Sequence, residues 1–349
     1  MKHALVWVVA ALAVQTSGYP VTVVPAGKGP YSFPPGYQIP WDRIEIFVSE
    51  KMSPNLFVLH GSEGLDPAHP ESSGGRMMAL FGPDGVLLVD TENRQVAEKT
   101  LKAIRAFSDA PLRVLVNTHI HPDHTGANAF FAKQGALIFA QDDLRSEMLR
   151  PPARANGQPA PAPEPAAVPA VTYKYNAKSP GEPAVTFTMN GETVDFIPMM
   201  PSHTAGDTIV RFRRANVIYI EDFYRNFGYP FADQANGGSI RGMLEAVDLI
   251  EKLADANTTL VPGHGTLVKR QDLLPYRAML VDMLAKVKTL RAEGKSLKEV
   301  LAANLTAPYD KSTLGDTQES KDRFVAEVFD EVQDFPPVVD GKRTMPRHQ

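Results

Sequence analysis

His119-Ile120-His121-Pro122-Asp123-His124 places four side chains able to bind a metal within six residues. It directly follows Arg113-Val114-Leu115-Val116-Asn117-Thr118, a short apolar run bounded by Pro111 that reads as a buried strand. These side chains therefore sit on a loop at a strand end, backed by a rigid element. Neutral imidazoles and a carboxylate are the ordinary non-thiolate ligands of a zinc-type ion. In extended backbone, residues two apart project to the same side, so His119 and His121 can reach one ion. Pro122 opens a turn after them, and Asp123 and His124 can serve an adjacent point. One stretch can thus begin two neighbouring metal sites. The plain alternative is a solvated histidine-rich loop. Four ligand types in six residues at a strand end argue against it.

The remaining histidines extend the pattern. There are nine in all; His3 lies near the start, His348 near the end, and His60 and His69 in an early loop region. His203 sits in the turn Pro201-Ser202-His203-Thr204-Ala205-Gly206-Asp207-Thr208, ahead of the strand-like Ile209-Val210-Arg211-Phe212. His264 ends the apolar run in Leu260-Val261-Pro262-Gly263-His264-Gly265, and Val217-Ile218-Tyr219-Ile220 runs into Glu221-Asp222. Each places a ligand-type residue at a turn beside a strand. That is the layout of a metal site on the rim of a sheet.

With Leu87-Leu88-Val89-Asp90-Thr91 ahead of them, these motifs resemble, in order, the five motifs of the metallo-β-lactamase-fold superfamily of metallohydrolases. The similarity runs over roughly residues 44–270. It implies an α+β fold, a four-layer αββα sandwich with the metals at one edge of its sheets. It also implies a ligand set. His119, His121 and His203 would hold the first ion, and Asp123, His124 and His264 the second, with Asp222 bridging both. Two zinc ions are expected, with iron or manganese as alternatives. Two ions about 3.5–4 Å apart activate water and polarise the bond under attack. A water or hydroxide between them would be the nucleophile, and Asp123 could orient it or shuttle its proton. Asp90 would support the metal histidines by a hydrogen bond; it also reads as an ordinary strand-end turn aspartate. Two departures stand out. Hydrolytic relatives usually carry glycine before the bridging aspartate, and here it is Glu221. The best-known β-lactamase subclass places cysteine where Asp222 stands, and this chain has no cysteine. Asp222 matches glyoxalase-like and lactonase-like members instead.

The reading that follows is a dinuclear zinc hydrolase of a small ester, lactone, thioester or lactam, β-lactamase-like or lactonase-like. A metal-dependent oxidoreductase of the same fold, using iron, is the first alternative. A metal-binding protein without turnover is the second, and the intact ligand set argues against it. Just after Asp222, Arg225 stands where a carboxylate-gripping lysine stands in cysteine-ligand β-lactamases, and its fork suits carboxylates. Tyr224 could donate to an oxyanion. A surface salt bridge for Arg225 and a packed aromatic for Tyr224 remain open. Phe227, Tyr229 and Phe231 either line a pocket mouth or anchor the loop.

Composition narrows the class. Apolar content of 43% and charged content of 22% are those of a globular protein. The net charge of −4, without a basic patch, argues for a small-molecule substrate and against nucleic acid. Met1-Lys2-His3 and the apolar run Ala4 to Val14, too short to span a bilayer, read as a signal peptide over residues 1–18. A buried N-terminal helix is the alternative. The expectation is a periplasmic or secreted protein that is not a lipoprotein, since no cysteine can carry the lipid. An extended lead-in over 19–43 and a sandwich domain over 44–270 should follow. A Pro/Ala-rich insertion at about 150–172 reads as a lid or a surface excursion. C-terminal helices over 271–335 should pack on the sandwich.

Overall fold

The computed structural model describes residues 41–61, 74–150, 162–226, 228–310 and 318–332. The expected signal peptide, the lead-in up to residue 40, residues 151–161 of the insertion, Phe227 and His69 lie outside the described residues.

Strands β1 (Ile46–Ser53), β2 (Leu56–Gly61), β3 (Met77–Leu80), β4 (Val86–Val89), β5 (Leu112–Val116), β6 (Leu137–Gln141) and β7 (Val171–Tyr173) form one sheet in that order. The first four pair antiparallel, and β4 to β7 pair in parallel. Strands β8 (Val185–Met189), β9 (Glu192–Pro198), β10 (Thr208–Phe212), β11 (Val217–Glu221) and β12 (Thr259–Pro262) form the second sheet, ordered β12-β11-β10-β9-β8. Among the described residues the helices are α1 (Ala97–Arg105), α2 (Pro122–Thr125), α3 (Asn128–Lys133), α4 (Asp142–Met148), α5 (Ile240–Leu253), α6 (Leu273–Ala292), α7 (Leu297–Ala302) and α8 (Gln318–Glu331).

Period-two alternation along the strands divides their side chains between layers. Met78, Leu80, Leu87 and Val89 meet Phe196, Val210, Phe212 and Tyr219 between the sheets. Their neighbours Met77, Ala79, Val86 and Leu88 face outward, onto Ala97 and Ile104 of α1 and Phe131 of α3. Ile209, Ile218 and Ile220 cover the opposite outer face with residues of α5, α6 and α8. Each fully buried aliphatic or aromatic side chain contributes about 1.5–3 kcal/mol, so these three clusters dominate the drive to fold. The result is the expected αββα sandwich with additional C-terminal helices.

Three local features differ from the sequence reading. Ile44, Ile46 and Val48 read as a first strand over 44–48, and the strand runs from Ile46 to Ser53 with two irregularities in its pairing. Ser49-Glu50-Lys51 lies on the edge strand, where solvent removes the apolar alternation that marks a strand. Residues 126–134 read as a helix, and the structure forms it as α3 over Asn128–Lys133, with a separate one-turn helix, α2, just before it. Pro122 starts that one-turn helix at its first position, and Ala127, at φ −95° and ψ 10°, separates it from α3. Finally, the end of the Pro/Ala-rich segment is packed. Ala167 accepts from Asn128 Nδ2 at 3.0 Å, Pro169 from Arg145 Nε at 3.2 Å, and β7 closes the sheet edge.

Candidate metal centre

Strand ends from both sheets converge at one edge of the sandwich. The end of β4 supplies Asp90 and the end of β5 leads into His119. The β9–β10 turn supplies His203, the end of β11 Asp222 and the end of β12 His264. Backbone bonds lock the edges together: Thr208 N donates to Thr118 O at 2.8 Å, and Arg76 N to Gly263 O at 2.8 Å. Close packing is obligatory here. A Cβ on Gly263 would lie 2.0 Å from Asp222 Oδ1, and one on Gly75 would lie 2.5 Å from the His124 ring.

The seven expected side chains come together in three overlapping groups. These are His119–His121–His203, His119–His124–Asp222 and Asp123–His124–His264, with the ligand atoms of each group within 4.8 Å of one another. In the first group, His203 Nδ1 bonds the Phe231 carbonyl at 2.8 Å, and His121 Nε2 bonds Asp233 Oδ2 at 2.8 Å. Carbonyl and carboxylate oxygens only accept, so those ring nitrogens carry the hydrogens. In the neutral rings the other nitrogens, His203 Nε2 and His121 Nδ1, are bare and face each other at 3.0 Å. Two lone pairs at that distance repel unless a shared proton or a metal ion lies between them.

The second group is oriented from the opposite side. Asp90 Oδ2 accepts from His124 Nδ1 at 2.8 Å, and the Asp90 carboxylate also accepts from Thr118 N (2.8 Å), Thr118 Oγ1 (2.6 Å) and Tyr219 OH (3.3 Å). His264 Nε2 lies 2.9 Å from Asp123 Oδ2. Asp222 stands among both groups. Its Oδ2 is 3.9 Å from His119 Nε2, 3.8 Å from His203 Nε2 and 3.3 Å from His264 Nε2; its Oδ1 is 3.7 Å from His124 Nε2.

The donor set fits a divalent ion. His119 Nε2, His124 Nε2 and Asp222 Oδ1 are buried without a hydrogen-bond partner, a costly arrangement unless a cation satisfies them. Burial and the surrounding imidazoles hold His119 well below the usual histidine range, and burial with His121 pushes His203 down to about 3. Both are neutral rings, the form that binds metals. Burial would also lower His124, but the carboxylates of Asp123, Asp222 and Asp90 outweigh it and raise it to about 10. Burial opposes ionisation of Asp123 and Asp222, yet the neighbouring histidines hold Asp123 well below the ordinary carboxylate value and Asp222 below it. Several carboxylates around one imidazole form a pocket built for positive charge.

Glu221 explains its own departure from glycine. Its φ is 49°, in the left-handed region that glycine reaches most easily. Its carboxylate accepts the amide hydrogens of Asp222 and of Phe223, the latter at 3.1 Å, and so holds the turn that aims Asp222. Burial, then Asp207 and Asp222, push its carboxyl well above the ordinary range.

Asp90 bonds the His124 ring, as its supporting reading requires. Tyr224 turns away from the centre: it is buried among core residues and meets Tyr276 edge-on at 5.0 Å, so the packed-aromatic alternative is the one its position supports. Tyr229 is an anchor, fully buried with its hydroxyl donating to Thr306 O at 3.1 Å. Phe231 stands at the centre, its ring 6.2 Å from His121 and parallel to it within 12°. Arg225 Cζ lies 5.6 Å, and Arg323 Cζ 4.5 Å, from the same Phe231 ring. Sequence reasoning missed Asp233, Arg323 and the role of the Phe231 carbonyl. Asp233 follows Pro230-Phe231-Ala232 and reads only as a turn residue; no spacing ties it to His121.

Known proteins share this fold. The sequence profile described as the Metallo-beta-lactamase superfamily matches residues 74–264. A stretch of 77 residues is 41% identical to the linear primary-alkylsulfatase of a Pseudomonas species, covering 20% of this chain and 15% of that protein. The stereoselective inverting sec-alkylsulfatase Pisa1 from Pseudomonas sp. superposes with a TM-score of 0.59 at 17% identity, over 82% of this chain and 50% of that one. A metallo-beta-lactamase from Pontibacter korlensis superposes with a TM-score of 0.53 at 17% identity, over 69% of this chain and 100% of that one. The chain thus spans only part of the alkylsulfatases it resembles, and identities this low speak for the fold alone.

Proposed function

Because the chain belongs to the metallo-beta-lactamase superfamily, we propose that it is a dinuclear zinc hydrolase of a small ester-type substrate carrying negative charge. The observation that carries this reading is three buried polar atoms that lack a partner, His119 Nε2, His124 Nε2 and Asp222 Oδ1, beside the ring nitrogens of His121 and His203 that face each other at 3.0 Å. His119, His121 and His203 would hold one ion, Asp123, His124 and His264 the other, and Asp222 would touch both. When bound, such ions polarise the scissile bond and make water acidic enough to ionise near neutral pH. Asp123, with its side chain a quarter exposed, is the carboxylate placed to accept a proton from attacking water. Asp90 and Asp233 hold the rings of His124 and His121 in the tautomers that binding needs. The guanidiniums of Arg225 and Arg323, both against Phe231, supply positive charge for an anionic group.

Among the esters, lactones, thioesters and lactams open to this fold, the alkylsulfatase likeness puts sulfate monoesters first. The test is a hydrolysis panel with zinc-, iron- and manganese-loaded protein on short alkyl sulfates, lactones, thioesters and β-lactams. Zinc-supported cleavage of an anionic ester is expected. Two bound ions with no hydrolysis across the panel would overturn the proposal. Oxygen consumption by the iron form alone would favour the oxidoreductase instead.

A further inference from the structure

The two acceptors that orient the first group of histidines, the Phe231 carbonyl and the Asp233 carboxylate, flank a single residue, Ala232. Its amide donates to Glu327 Oε2 on α8 at 3.1 Å. The rest of this loop is bound to the same helix. Gln234 Nε2 donates to the Glu327 carbonyl at 3.1 Å, Ser239 Oγ to Glu331 Oε1 at 2.7 Å, and Tyr229 N to Ser320 Oγ at 3.1 Å. Tyr229 also stacks on Phe324 at 5.7 Å. Glu327 and Glu331 are 6% and 4% exposed, so water does not compete for these contacts.

We propose that α8 is a clamp on the first half of the metal centre, with Glu327 the positioning residue that sets how tightly His121 and His203 hold an ion. The Ala232 amide fixes the backbone between the two acceptors, so one contact sets both 2.8 Å bonds to the rings. A shift of the loop by an ångström breaks them, and hydrogen bonds weaken steeply outside their narrow range. The second half is held from the sheet. The His124 ring takes its orientation from Asp90 at the end of β4. The C-terminal helix therefore acts on one ion and not on the other. This inference rests on the metal reading above but needs no turnover.

The experiment is a zinc titration of the full chain against a competing chelator, with folding checked by circular dichroism. Wild type is expected to show two binding steps. Glu327→Ala should weaken one step by about 10–100-fold, the usual cost of losing an outer support of a metal ligand, and leave the other within about twofold. Glu327→Gln keeps an oxygen for the Ala232 amide and should restore both steps. In a His203→Ala background, where the first half is already lost, Glu327→Ala should change nothing further. Should Glu327→Ala not fold, Glu327→Asp, which withdraws the oxygen by one methylene, gives the same reading against Glu327→Gln. Two unmoved steps in a folded variant, or two steps moved alike, would overturn the clamp alone. A wild type that binds no zinc would overturn the metal reading and the clamp with it.

Discussion

The two halves of the centre share Asp222 but are built by different means. The second half is short-range architecture: His124 leans on Asp90, which itself accepts from Thr118 and Tyr219 at the ends and faces of neighbouring strands. Its support is the sheet. The first half depends on a loop that follows the fourth motif and on a helix near the C-terminus. Its support is the packing of one layer on another. A rigid sheet edge can hold a ligand by itself, whereas a loop must be held by something else. The first half should therefore be the one that mutation and conditions loosen.

The largest expected effect breaks both halves at once. Asp222→Ala removes the carboxylate within reach of four histidine nitrogens. Elemental analysis should find neither ion retained at stoichiometric zinc, and turnover should fall to background. A protein that kept both ions would show that the bridge is not needed. Next come two substitutions that should separate the halves. Asp90→Ala should weaken the His124 step, and Asp233→Ala the His121 step, each by about 10–100-fold in zinc affinity. Asp90→Ala should also lower the melting temperature more, because it strands the Thr118 and His124 donors in a buried place at about 1–3 kcal/mol each. If both variants weakened the same titration step, the division into halves would be wrong.

How far the sequence reached follows the same division. Asp90 and the ligands themselves are chemically unusual residues at strand ends, and a strand end is visible in a sequence as apolar periodicity followed by a turn. That made the candidate ligand residues legible, while the two-sheet sandwich and the part of Asp90 beside the histidines came with the resemblance to the family. Asp233 and Glu327 carry no such mark. An aspartate after Pro230 looks like any turn residue, and a glutamate on an amphipathic helix looks solvated. Their roles arise only when α8 packs against the loop, a contact between residues 95 positions apart. Tyr224 shows the converse: its place two residues after Asp222 suggested a catalytic donor, and packing against Tyr276 takes it into the core.

Arg225 tests whether the first half also faces the substrate. Its charge is felt at His203 and at Asp222. Arg225→Ala should cost about tenfold or more in kcat/KM on an anionic ester, the loss of a charge-assisted contact of about 1.5–3 kcal/mol. Neutral lactones should lose far less, and zinc content should stay the same. Equal losses on both substrate types would make Arg225 a support of the loop.

The pH dependence of the clamp sets the two halves apart in a different way. Burial raises the Glu327 carboxyl from its ordinary 4.5 to about 8; Arg323, the Ala232 amide and Arg225 oppose the rise, and Asp233 adds to it. Below pH 4.5 the acid is protonated in folded and unfolded chains alike, and burying it neutral costs least. Between 4.5 and about 8 the unfolded chain releases the proton while the folded chain keeps it. The folded state then binds more protons, so stability falls as pH rises through that window, by at most about 1.4 kcal/mol per unit from this group. Above it the contribution is constant. Glu327→Gln cannot ionise, so its urea-unfolding free energy should fall less than that of wild type from pH 5 to 8. Other raised groups, Glu221 among them, titrate equally in both proteins and cancel in the difference. Parallel curves for the two proteins would mean that Glu327 ionises in the fold as easily as in water, and that the contact between α8 and Ala232 is wetter than its burial implies.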